Sequence, residues 1–173
     1  MFEATPLSGL LIHRPRQHRD NRGGFARLWC KDSFAQAGIP FTPTQIVASS
    51  NTLAGTLRGL HWQTAPFAET KLVRVTQGRV FDVAVDLRPD SPTRLQHFGL
   101  ELDAESQTGL LIPAGFAHGY ITLLDRTDVL YCIDAPYAPD MALGARYDDP
   151  ALNISWPRTP SVVADRDLAW PAL

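Results

Sequence analysis

The chain has 173 residues, 20% of them charged, and a formal net charge of -2. That length suits a single domain, 1–173, with a core of its own, and the near-neutral balance gives neither the basic footprint of a nucleic-acid binder nor a membrane-seeking face. No nucleic-acid or membrane partner is expected, so any anion has to be met by local side chains.

Near the start, Leu10-Leu11-Ile12 is flanked by His13, Arg14 and Pro15. The stretch is too short for a signal core or a membrane span, and the protein is expected in the cytoplasm. Cys30 and Cys132 sit in apolar or strand-like runs and, without a secretory context, are expected as reduced, buried thiols. The one helical segment is Asp32 to Ala37, where Asp32 or Ser33 can cap the start and Gly38 follows the end. Elsewhere short period-two runs alternate with Gly, Pro, Asn and Asp: Lys71–Thr76, Arg79–Val85, Gly109–Ile112 and Val129–Ile133. This pattern, with 14 prolines, predicts an all-β sandwich or barrel with few short helices.

Arg58-Gly-Leu-His61-Trp-Gln63 places a titratable imidazole beside a cation and a permissive glycine. Alternation sends Arg58 and His61 to opposite faces unless Gly59 carries a bulge. A histidine here can equally be structural. A two-residue turn at Gln77-Gly78 would pair Lys71–Thr76 with Arg79–Val85, setting Val75 against Val80 and Lys71 diagonal to Asp82 on one face. Asp82 lies in an apolar run, so it calls for a partner, and a plain ion pair would satisfy it. His118 opens the strand after Ile112-Pro-Ala-Gly-Phe-Ala. A turn at Arg126-Thr127 would put His118, Tyr120 and Thr122 on one face with Tyr131 and Ile133, and polar groups on the inward face of a barrel point to a ligand cavity. His118 could ligate a metal, yet the chain has no close histidine pair of the kind metal cupins assemble, and no metal is expected. Tyr131 alone could be packing, and Asp167 alone a solvated terminal charge.

Taken together, several segments resemble the dTDP-4-dehydrorhamnose 3,5-epimerase family of cupins. They are Asp20–Phe25, Gly55–Gln63, Lys71–Arg74, Phe81–Arg88, Ser91–Thr93, Ile112–Gly119, Tyr137–Pro139, Asp148–Pro150 and Ser155–Pro157, with Phe25-Ala-Arg27 matching one branch. The resemblance implies a jelly roll, a homodimer whose amino-terminal strands reach the partner, a nucleotide-sugar substrate, an isomerase activity and no cofactor. By the same resemblance His61 is the base, Asp167 orients it, Tyr131 is the acid and Lys71 stabilises the enolate, with Asp82 and His118 close by. Arg22 and Arg58 would hold the diphosphate, with Phe25, Gln45 and Tyr137 near the nucleobase. The implied reaction inverts C3 and C5 of a dTDP-linked 4-keto-6-deoxyhexose, as in L-rhamnose synthesis. A C3-only or C5-only epimerase and a non-catalytic sugar-nucleotide binder are the alternatives.

Overall fold

The alternating runs form strands, as their β-branched and aromatic content favours. A computed structural model describes residues 1–173. The strands are β1 (Phe2–Ala4), β2 (Leu11–His13), β3 (Gln17–Asp20), β4 (Gly23–Ala26), β5 (Gln45–Asn51), β6 (Thr56–Gln63) and β7 (Lys71–Gln77). They continue as β8 (Arg79–Asp86), β9 (His97–Asp103), β10 (Gly109–Ile112), β11 (Phe116–Thr122), β12 (Thr127–Ile133), β13 (Ala142–Gly144) and β14 (Val162–Val163). Two short α-helices accompany them, α1 (Lys31–Gln36) and α2 (Asp165–Leu168).

One sheet has the order β1-β2-β10-β7-β12-β5, the other β13-β6-β11-β8-β9, with β14 joined in parallel to β6 and β3-β4 standing apart as a ribbon. The two sheets face each other. Between them lies an apolar core to which the first sheet gives Val73, Val75 and Val129, and the second Val80, Ala84 and Tyr120. Each of these valines stabilises the sandwich by about 2 kcal/mol through water exclusion. On the outside of the first sheet, Phe34 of α1 and Phe41 pack on Leu72, Leu111 and Cys132. The outside of the second is covered by Leu152 and Trp156, from the segment after β13.

Both expected hairpins prove to be crossovers. Strand β7 pairs with β10 and β12, and β8 pairs with β11 and β9, so Gln77-Gly78 carries the chain from one sheet to the other. Likewise β11 pairs with β6 and β8, while β12 pairs with β5 and β7. Lys71 and Asp82 are therefore not cross-strand neighbours. Alternation still assigns the faces correctly, because it depends on each strand alone and not on its partner.

The bulge at Gly59 is present. Cα pairing runs His118↔His61 and then Tyr120↔Arg58, so β6 spends one residue more than β11 over the same interval. Gly59 has φ +122, and a Cβ there would fall 2.5 Å from the Gly119 Cα. Only glycine meets both demands. The extra residue turns Arg58 and His61 toward the same side.

At α1 the start differs from expectation. Cys30 is the N-cap and makes no side-chain cap bond, whereas Gly38, with φ +74, follows the C-cap as expected. Both cysteines are free thiols, Cys132 buried and Cys30 half-buried. Beneath α1, the buried Arg74 donates to the Gln107 and Leu28 carbonyls at 2.5 and 3.1 Å, and to His13 Nδ1 at 3.1 Å. Burial, followed by the charge of Arg74 and of the amino terminus, pushes the His13 imidazole down to about 4.

Candidate active site

At one end of the sandwich the two sheets part around a cleft of about 530 Å³. Strand β6 and the C-terminal segment form one wall, β5 and β12 the other, and β11 runs beneath. Of the expected site residues, His61, Asp167, Lys71, Tyr131, Gln45, Arg58, His118 and Tyr137 all line it.

His61 projects from the end of the bulge and its Nε2 meets Asp167 Oδ1 at 2.7 Å. Asp167 sits on α2, and its second oxygen accepts the Gly59 N–H at 3.2 Å. Burial alone would raise this carboxyl, but the hydrogen bond and charge of His61 and the Gly59 amide hold it below the usual carboxylate range. The carboxylate can only accept, so it places the ring proton on Nε2 and leaves the Nδ1 lone pair for the cleft. The His61 side chain is 34% exposed and that of Asp167 only 6%, so one partner faces the open cleft and the other is anchored.

Across the cleft, Tyr131 projects from β12 in the opposite sheet, its ring edge-on to His118 at 6.0 Å between centroids. Burial, reinforced by neighbouring Tyr120, pushes the Tyr131 phenol well above its ordinary value. It therefore keeps its proton at neutral pH. Lys71 Nζ pairs with Glu69 Oε1 at 2.7 Å, both side chains being nearly buried. Gln63 Nε2 donates to the other Glu69 oxygen at 3.0 Å and to the Pro136 carbonyl at 3.1 Å. A charge pair held in this way is pre-positioned.

Asp82 lies under the floor. It accepts from His118 Nε2 at 2.9 Å, and its other oxygen is buried without a hydrogen-bond partner. Gln45 is tied to the Ala135 carbonyl at 2.6 Å, and Tyr137 is exposed at the rim. Arg22 and Phe25 are not brought to this cleft. They sit on the β3-β4 ribbon, Arg22 paired with Asp20 at 2.6 Å and Phe25 73% exposed. Glu69, Gln63, Ser49, Tyr120 and Arg166 also shape the site. Of these, Tyr120 was expected on the cavity face and Gln63 lies in the Arg58–Gln63 motif, whereas Glu69, Ser49 and Arg166 were not expected, and for Glu69 the available signal was its place two residues before Lys71.

The family model described as dTDP-4-dehydrorhamnose 3,5-epimerase matches residues 4–173. The chain belongs to that family. The expected jelly-roll epimerase architecture and isomerase class hold with it. A dTDP-4-dehydrorhamnose 3,5-epimerase from Sinorhizobium fredii is 40% identical over 177 residues, covering 99% of this chain and 89% of the relative. A solved structure of the Bacillus anthracis dTDP-4-dehydrorhamnose 3,5-epimerase with TDP and PPi bound superposes with a TM-score of 0.97 at 39% identity, covering 100% of this chain and 99% of that one. The Legionella pneumophila dTDP-6-deoxy-D-glucose-3,5-epimerase in complex with dTDP-4-keto-L-rhamnose gives 0.94 at 35% identity, covering 99% and 92%.

Proposed function

We propose that this family member inverts C3 and C5 of a dTDP-linked 4-keto-6-deoxyhexose, with His61 as base, Tyr131 as acid and Lys71 as the enolate's counter-charge. The supporting observation is that the His61–Asp167 pair and Tyr131 project from opposite sheets into one cleft. A C–H bond beside a ketone breaks only if the charge developing on oxygen is met, and the Lys71 ammonium held by Glu69 is suited to do this. His61 Nδ1 takes the proton, and the Asp167 carboxylate stabilises the imidazolium that forms. The planar enolate then receives a proton from the other side, where Tyr131 stands. The configuration is inverted and no oxidation state changes, so side chains suffice.

Arg58 binds the diphosphate and uses remote binding energy to place the ring, with Gln45 and Tyr137 toward the nucleobase and His118, backed by Asp82, beside the carbonyl. The protein acts in the cytoplasm as a homodimer of single cupin domains, each ribbon delivering Arg22 and Phe25 to its partner's cleft. Exposed Phe25 on the ribbon and exposed Ile46 and Val47 on the edge strand β5 support this assembly, since unpaired edges and apolar patches are usually covered.

Turnover in deuterated water tests the reaction. Label at both C3 and C5 is expected. Label at one carbon would make it a mono-epimerase, and label at neither a binding protein. His61→Ala should lose exchange at both carbons by about 100-fold or more while retaining diphosphate affinity. Tyr131→Phe should still release protons but invert poorly.

A further inference from the structure

Arginines of this chain are held in two ways. Arg22, Arg88 and Arg146 each pair with a carboxylate two residues away at 2.6 to 2.8 Å, which fixes the guanidinium and also offsets its charge. Arg58, exposed in the cleft, has no such partner. Its side-chain hydrogen bond goes to a neutral group, Nε donating to Asn51 Oδ1 at 2.8 Å.

Asn51 is itself held from behind. It is 4% exposed, does not line the cleft, and ends β5 opposite Thr127 of β12. Its Nδ2 donates to the Thr127 carbonyl at 2.9 Å. The guanidinium can only donate and the carbonyl only accept, so these two contacts fix which way the amide points. The Tyr120 oxygen, 3.2 Å from Nδ2, meets the remaining amide hydrogen and is joined in turn to Ser49 Oγ at 2.7 Å. Tyr120 and Arg58 are register partners on β11 and β6, so the amide ties the strand carrying the cation to the edge strand of the other sheet.

An arginine bound at Nε has its plane set while both Nη nitrogens, the prongs of the fork, stay open. A carboxylate in place of Asn51 would set the plane equally well, but it would cancel the charge and repel an approaching phosphate. We infer that Asn51 is a positioning residue, a neutral tether that aims the Arg58 fork at the substrate's diphosphate and leaves its charge intact. This rests on the reading of Arg58 as a diphosphate-binding residue. Asn51 acts on the substrate only through Arg58, since its own side chain is sealed from the cleft.

Titration calorimetry with TDP reads the tether directly. Arg58→Ala should weaken binding by about 100-fold, the usual scale for removing one member of a close charge pair. Asn51→Ala leaves the arginine charged but free to swing, and should weaken binding by about tenfold. In an Arg58→Ala background the same Asn51→Ala change should have no further effect, because nothing is left to aim. A tenfold loss in both backgrounds would mean that Asn51 serves the fold alone, and would overturn the tether. Asn51→Asp has nearly the same shape and keeps the acceptor, but adds a charge. Relative to wild type its affinity for TDP should fall by about tenfold at low salt and by less at high salt. This variant decides the matter if Asn51→Ala does not fold. Wild-type affinity in either Asn51 variant, with Arg58→Ala impaired, overturns the tether and leaves Arg58 in place. Wild-type affinity in Arg58→Ala would remove the phosphate-binding arginine, and the tether with it.

Discussion

His13 makes the fold weaker in acid through a single ring. Its pKa falls from 6.5 to about 4 because it is buried beside Arg74. Between those two values the unfolded chain binds a proton that the folded ring refuses. Its contribution is complete above the upper value, is lost as pH falls through the window, and changes no further below the lower one. The loss amounts to about 3 kcal/mol. His13→Gln keeps an acceptor for Arg74 but does not titrate. Urea unfolding at neutral pH and near pH 4 should show the wild type losing about 3 kcal/mol more than the variant. Equal losses would place the acid sensitivity elsewhere. At this scale His61 and Lys71 stood out within motifs, whereas Tyr131 and Asp167 read as packing and a terminal charge until the family resemblance gave them roles. Glu69 was not legible as a site residue. Its importance comes from Gln63 and Lys71 converging on it, a contact made by the fold and not by neighbouring letters.

Among the elements, β6 shows what local sequence can and cannot specify. The clash between Arg58-x-x-His61 and strict alternation was visible in the letters, and the bulge that resolves it has a glycine because any Cβ would strike Gly119. Gly59→Ala should destabilise the protein by about 3 kcal/mol or more, combining strain at positive φ with a backbone collision. The variant should also lose more turnover than stability, because the bulge aims His61 and its amide binds Asp167. Thermal denaturation together with the exchange rate checks both parts. Strand pairing was not legible. A Gly-containing turn between two alternating runs fits a hairpin equally well, and only the competition of β10 and β12 for the edges of β7 decides that the chain crosses over. Tertiary pairing overrode a sound local signal.

For the whole molecule, the ribbon is the feature that one chain cannot explain by itself. Arg22 and Phe25 stand in solvent, away from the cleft for which their motif had marked them. If each ribbon serves its partner, His61→Ala and Arg22→Glu are defective separately but complementary when mixed. A random heterodimer has one cleft with both defects and one with neither, so mixing should recover about a quarter of wild-type activity by two-fold symmetry. No recovery, with heterodimers shown to form, would mean that Arg22 works within its own chain or not at all. A second subunit's contribution is written in a sequence only as an unexplained exposed motif.

Strands β6 and β12, which carry the proposed base and acid, are each hydrogen-bonded along both edges. Neither of these two strands is a hinged flap, so in the proposed cycle the sugar is the part that moves. If Arg58 holds the phosphates as proposed, the ring has to swing about that tether to bring a second carbon beneath the imidazole. The length and suppleness of the glycosyl-phosphate linkage, more than any motion of the polypeptide, would then govern how often one visit yields two stereochemical changes.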